Sequence, residues 1–77
     1  MTQVIGRLNG DDLLRWRKLV ARDTAIHIHP PHWSREEICH HLLESQQFRA
    51  EVAARFEVDD TRSWRISAWT GVIWYDD

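Results

Sequence analysis

The sequence predicts an α+β fold: two or three helices packed on one face of a small mixed sheet of three or four strands that includes a C-terminal β-hairpin. Three observations lead there. Two segments carry helix-start signals followed by helical spacing of apolar residues. The stretch Ala25-Ile26-His27-Ile28-His29 alternates apolar and polar side chains. Near the C-terminus, the twelve residues Trp64 to Tyr75 are rich in aromatic and β-branched residues around Thr70-Gly71.

The elements follow in order. Residues 2 to 7 have enough strand character to form an extra strand at the sheet edge. Asn9-Gly10-Asp11-Asp12 reads as a helix start, with Asn9 as cap and Leu8 and Leu13 flanking it as a hydrophobic staple. This first helix is expected to reach about Arg22. It carries Leu13, Trp16, Leu19 and Val20 on one side and the cationic row Arg15, Lys18 and Arg22 on the other. Alternation then makes residues 25 to 29 a strand, with Ile26 and Ile28 on one face and His27 and His29 on the other, ended by Pro30-Pro31. A right-handed crossover would join it to the first strand.

Trp33-Ser34-Arg35-Glu36-Glu37-Ile38 contains a Ser-x-x-Glu capping box, with Trp33 and Ile38 as its staple. A helix over 35 to 57 follows, continuous or kinked, with Ile38, Leu42, Val52 and Phe56 on one stripe. The polar Ser45-Gln46-Gln47 is the place where it would break into two. In the hairpin, a three-residue loop with Gly71 in the left-handed conformation pairs Ala68 with Val72. One face then gathers Trp64, Ile66, Ala68, Val72 and Trp74, and the other shows Arg65, Ser67, Ile73 and Tyr75. The alternative, a two-residue Thr-Gly loop pairing Trp69 with Val72, asks the β-branched Thr70 for a positive φ.

A chain of 77 residues suits one small domain over 1–77. A lone cysteine forms no intramolecular disulfide, and the N-terminus lacks the apolar core of a signal peptide, so a reducing cytoplasm is the expected compartment and no membrane partner is expected. The net charge is −2, divided as +3 over residues 1 to 22 and −5 over the rest, which leaves no global basic field for nucleic acid.

All five histidines and the cysteine fall between His27 and His41. Imidazole and thiolate ligate zinc, so a transition-metal site would draw on His27, His29, Cys39 and His41. However, consecutive helical residues diverge by about 100°, and neither CxxC nor HExxH is present. No metal or other cofactor is therefore the leading expectation. Catalysis is not expected either: Cys39 and His40 diverge on a helix, and nothing supplies an oxyanion hole or a phosphate-cradling loop.

Glu51-Val52-Ala53-Ala54-Arg55-Phe56-Glu57-Val58-Asp59-Asp60 is similar to the first helix and turn of DNA-binding helix-turn-helix motifs, which often read Val-Ala-x-x-Phe-Gly-Val-Ser. That resemblance implies a DNA-binding regulator, with Arg15, Lys18 and Arg22 available for phosphate contacts. It spans about ten residues. Glu57 stands at the turn glycine, Ser63 falls on the apolar position of a recognition helix, and Asp59 and Asp60 would face phosphate.

Five tryptophans exceed what so small a core needs. Tryptophan, tyrosine and arginine dominate interface energetics. The leading expectation is thus a non-catalytic protein-protein interaction module, an accessory, regulatory or inhibitory factor of the kind phage and operon genes encode. It would bind another protein or self-associate through an edge strand. Its expected surface is the open side of the sheet and the hairpin tip: Trp69 at the centre, Arg65 and Tyr75 behind it, His27 and His29 alongside.

Overall fold

The computed structural model describes residues 3–27 and 32–77. Its elements are β1 (Gln3–Arg7), α1 (Gly10–His27), α2 (Arg35–Arg55), β2 (Trp64–Ile66) and β3 (Val72–Tyr75). The class is α+β, as expected. The sheet has three strands in the order β1-β3-β2, and both pairings are antiparallel. The expected edge strand at the N-terminus is β1.

Asn9 initiates α1, its carbonyl accepting from Leu13 N at 2.8 Å, and Asp11 and Asp12 place negative charge on the first turn. Trp16 and Leu19 are buried and Leu13 and Val20 pack beside them, so the expected apolar stripe forms. The helix does not stop at Arg22. It runs to His27, which replaces the expected strand over residues 25 to 27 with helix; Ile28 and His29 lie outside the described residues. Nothing in the sequence breaks a helix between Arg22 and Pro30, and each added residue gains a helical hydrogen bond without a new nucleation cost. Thr24 donates its hydroxyl to Val20 O within the same helix, and Arg22 and Asp23 find partners on α2. At residues 25 to 27 alternation loses to these tertiary anchors, and among the described residues both strand pairings are antiparallel rather than mixed.

The capping signal at Ser34 is realised: its hydroxyl accepts from Glu37 N at 3.1 Å. From there α2 continues through Ser45-Gln46-Gln47 as a single helix. Ser45 does not interrupt it because the residue is buried against α1, donating to the Asp23 carboxylate at 2.8–2.9 Å. The buried stripe of α2 is therefore Ser45, Phe48, Val52 and Ala53, while Leu42 and Leu43 stay 39% and 50% exposed. The expected stripe holds at Val52 and Phe56 and fails at Leu42.

The helix ends in a Schellman arrangement, with Val58 N donating to Ala53 O at 2.9 Å across Glu57 at φ 53°. Beyond it comes strand β2 rather than a recognition helix, so the helix-turn-helix resemblance ends with α2 and its turn.

In the hairpin, Ile66 pairs with Ile73 and Trp64 with Tyr75. Ser67 N donates to Val72 O at 2.8 Å and Gly71 N to Ser67 O at 2.9 Å, so four residues, Ala68 to Gly71, form the loop. Gly71 takes the left-handed conformation, φ 79°, as anticipated. The loop is one residue longer than the three-residue form, and a one-residue slip sends every side chain of the second strand to the opposite face. Ile73 and Tyr75 therefore share the inner face with Trp64 and Ile66, while Val72 and Trp74 lie on the outer face with Arg65. Trp64, Ile66 and Arg65 fall where the sequence placed them.

The inner face meets both helices in one core: Leu8, Trp16, Leu19, Phe48, Val52, Ala53, Trp64, Ile66 and Ile73. Trp16 and Phe48 stack at 5.6 Å between the helices. At a bulge in β1 between Val4 and Gly6, the chain runs so close to α2 that a Cβ on Gly6 would lie 2.6 Å from the Phe56 ring. Among the described residues no helix is long and apolar enough to cross a membrane.

The positive φ at Glu57 costs a side-chain-bearing residue about 1–2 kcal/mol, against about 0.4–1 kcal/mol that a glycine loses through its freer unfolded chain. Glu57→Gly should raise the free energy of unfolding by about 0.5–1 kcal/mol, read from urea melts at constant m-value. A destabilised variant would contradict the cap geometry.

Candidate interaction surface

Trp69 sits at the second position of the hairpin loop and is 82% exposed. Exposure here does not mean a loose tip. The Ser67 hydroxyl oxygen accepts from Trp69 N at 3.2 Å and Thr70 N at 3.1 Å. Arg7 Nε donates to Thr70 O at 3.0 Å. From α1, Arg17 Nε donates to Ala68 O at 3.0 Å and a terminal guanidinium nitrogen donates to Trp69 O. The same guanidinium lies 5.8 Å from the centroid of the Trp69 ring, within cation-π range. The loop's backbone is thus held by both the β1–α1 corner and the middle of α1.

Between α1 and this loop runs a groove of about 480 Å³, lined by Arg17, Val20, Ala21, Ala68 and Trp69. Its walls are mostly apolar and its one charge is the Arg17 cation. Sequence reasoning reached Trp69 through its place at a turn. It missed Arg17, Val20 and Ala21, because only the docking of α1 beside the hairpin makes them neighbours of Trp69. The single hint was Arg17 lying one residue from buried Trp16, at the border of the apolar stripe.

The other expected members of the surface do not gather there. Arg65 is on the open face of the sheet, where its Nε pairs with Asp76 at 2.7 Å. Tyr75 is on the inner face: its hydroxyl oxygen accepts from Asp59 N at 2.9 Å, and the Arg62 guanidinium stacks 3.8 Å from its ring centroid. Arg62 also holds both Asp77 carboxylate oxygens at 2.8 Å, so Tyr75 locks the C-terminal strand to the chain leaving α2. The longer hairpin loop separates Tyr75 from Arg65. His27 belongs to α1 rather than to the sheet, and His29 lies outside the described residues. The open face instead carries a row of Val4, Trp74 and Arg65 across the three strands.

The cationic row of α1 is largely spent on α2. Arg15 pairs with Glu51 at 3.2 Å and lies over Phe48, and Arg22 pairs with Glu44 and contacts His41 Nδ1. Lys18 is exposed. Two of the three charges proposed for phosphate contact are thus neutralised by carboxylates of the same molecule. Of the histidine-cysteine cluster, Cys39 is exposed, His40 Nε2 pairs with Glu44 at 3.0 Å, and the His41 ring packs 4.6 Å from that of Trp33. Among the described residues no three His, Cys, Asp or Glu side chains are placed to share a metal ion.

These ion pairs set the titration of the surface. At Glu44, partial desolvation pushes the carboxyl up, but the Arg22 hydrogen bond and charge, with His40 and His41, hold it below its ordinary value. Asp59 is lowered by the hydrogen bonds from Thr61, and Asp77 by those from Arg62.

Comparison with protein-family models, with curated proteins and with solved structures yields no significant match to this chain.

Carboxyls held down in the folded state stabilise it above their unfolded values, 4.5 for Glu44 and 3.8 for the aspartates, and that stability is lost as pH falls through the folded values. Urea midpoints should fall steadily below about pH 4.5. Glu44→Gln and Asp77→Asn should each lower the midpoint at neutral pH and flatten the acid limb. An acid limb of unchanged slope in both variants would show that these pairs contribute nothing.

Proposed function

We propose that this chain is a non-catalytic protein-protein interaction module that works by presenting Trp69 and the adjoining groove to a partner protein. The carrying observation is an indole 82% exposed on a loop whose backbone is already hydrogen-bonded to Ser67, Arg7 and Arg17. An exposed tryptophan forfeits hydrophobic stabilisation that burial would return. Holding it in place before contact reduces the ordering cost of association, which is how rigid aromatic anchors become the dominant contacts of an interface.

The groove's chemistry describes the partner segment. Val20, Ala21, Ala68 and the Trp69 ring take an apolar side chain, and the Arg17 cation at the rim takes a neighbouring carboxylate. A module of this size with one such anchor suits an accessory, regulatory or inhibitory factor, because its action consists of occupying a surface.

A photo-crosslinking residue at position 69 should trap a discrete partner in cells, and one at exposed Ala54 should not. With that partner purified, Trp69→Ala should weaken binding about 30-fold or more, while unfolding free energy changes by less than about 0.5 kcal/mol. Affinity within twofold of the parent in Trp69→Ala would remove Trp69 from the interface.

A further inference from the structure

A second concave site shares no residue with the Trp69 groove. It is a cleft of about 230 Å³ between α2 and the start of β2, lined by Gln46, Arg49, Ala50, Asp60 and Trp64. Its floor is Trp64, a core residue with 8% of its surface exposed. The Trp64 ring is fixed at its edge, where Nε1 donates to Asp60 Oδ1 at 2.9 Å. Arg49 reaches across from α2 and lays its guanidinium over this ring, 4.1 Å from the centroid.

Arg15, Arg22, Arg55, Arg62 and Arg65 each hold a carboxylate within ion-pair distance. Arg49, like Arg7, Arg17 and Arg35, pairs with no carboxylate among the described residues, but Arg7 and Arg17 spend donors on loop carbonyls at normal hydrogen-bond distance. The one hydrogen bond of Arg49 goes to Trp64 O at 3.4 Å, beyond the usual range for N–H···O. A guanidinium carries five N–H donors in a planar fork, so its donors are essentially unspent. Stacking on the indole removes water from one face of the cation, and this desolvation draws its affinity for a proton down, with the Asp60 charge partly opposing it. A cation so placed gains more from an anion than one free in water.

The shape of the fork and the charges around it select the anion. A planar carboxylate matches the fork with two parallel hydrogen bonds. Asp60 beside the cation repels a dianion more strongly than a monoanion, so phosphate is disfavoured relative to a carboxylate. Asp60 is turned toward Trp64 Nε1, which leaves the guanidinium edge as the attractive wall. We infer that the Arg49–Trp64 cleft binds a carboxylate group through the Arg49 fork, supplied either by a free small acid or by a peptide chain.

The test is a titration of ¹⁵N-labelled protein, following the Trp64 Nε1 and Arg49 Nε signals, with sodium acetate, sodium chloride at equal ionic strength, inorganic phosphate, and acetyl-Gly-Gly with a free or an amidated terminus. Saturable shifts at both signals with acetate, absent with chloride, are expected. A saturable response to the free-terminus peptide and none to its amide assigns the carboxylate to a chain end, whereas a response to acetate alone assigns it to a free acid. Arg49→Lys keeps the charge and loses the fork, and should bind acetate about tenfold more weakly. Asp60→Asn keeps an acceptor for the indole N–H, removes the opposing charge, and should bind acetate more tightly. Linear shifts matching those of chloride, unchanged affinity in Arg49→Lys, weaker binding in Asp60→Asn, or phosphate binding more tightly than acetate would each overturn the inference.

Discussion

The contact between Gly71 and Leu8 is the joint on which the rest of the molecule turns. Leu8, 2% exposed, leaves β1 and donates its backbone N–H to Gly71 O at 2.8 Å. Gly71 is itself buried in the left-handed conformation, and a side chain there would place its Cβ 3.0 Å from Leu8 O and 3.1 Å from Leu13 Cδ1. Only glycine lets the two backbones meet. Three things follow from this approach. The hairpin closes with four loop residues, which sets the facing of β3; β3 lies beside β1, with Arg7 opposite Val72; and the loop is brought within reach of Arg17 on α1. Trp69 is outside because Gly71 is inside.

The helices solve a different problem. Near the sheet they share an apolar interior, with Trp16 stacked on Phe48 and Val52 fully enclosed. Farther along, the seam turns polar: Asp23 with Ser45, then Arg22 with Glu44 and His41. This part is held by geometry more than by burial, and its exposed ion pairs are individually weak. It accounts for three features at once: the extension of α1 past Arg22, the uninterrupted passage of α2 through Ser45, and the neutralisation of Arg22, one end of a cationic row that in sequence looks free.

What could be read from the chain was local. Both helix starts, the left-handed Gly71, the edge strand at residues 3 to 7 and the inward Trp64 and Ile66 follow from capping, turn and alternation rules that act over a few residues. The strand expected over residues 25 to 27 gives way to helix because alternation describes a strand and a short stretch of helix edge equally well. What decides these residues is α2, some twenty positions away in sequence. The facing of Ile73, Val72, Trp74 and Tyr75 depended on a single loop residue, and no composition rule separates a three-residue from a four-residue loop around Trp69. The candidate surface was legible only at its most exposed member; Arg17 and Arg49 acquire meaning from the aromatic rings that the fold brings beneath them.

The most direct test of this account compares Gly71→Ala with Gly10→Ala by urea unfolding and amide hydrogen exchange. Gly10 has no atom within 4 Å of an added Cβ, so its substitution should leave stability within about 0.5 kcal/mol of the parent or raise it. Gly71→Ala should lose about 2 kcal/mol or more, and the Leu8 amide should exchange faster than the amides at the centre of α2. Equal stability of the two variants, with Leu8 still protected in Gly71→Ala, would contradict the claim that the hairpin, the β1–α1 corner and the presentation of Trp69 all depend on this one contact.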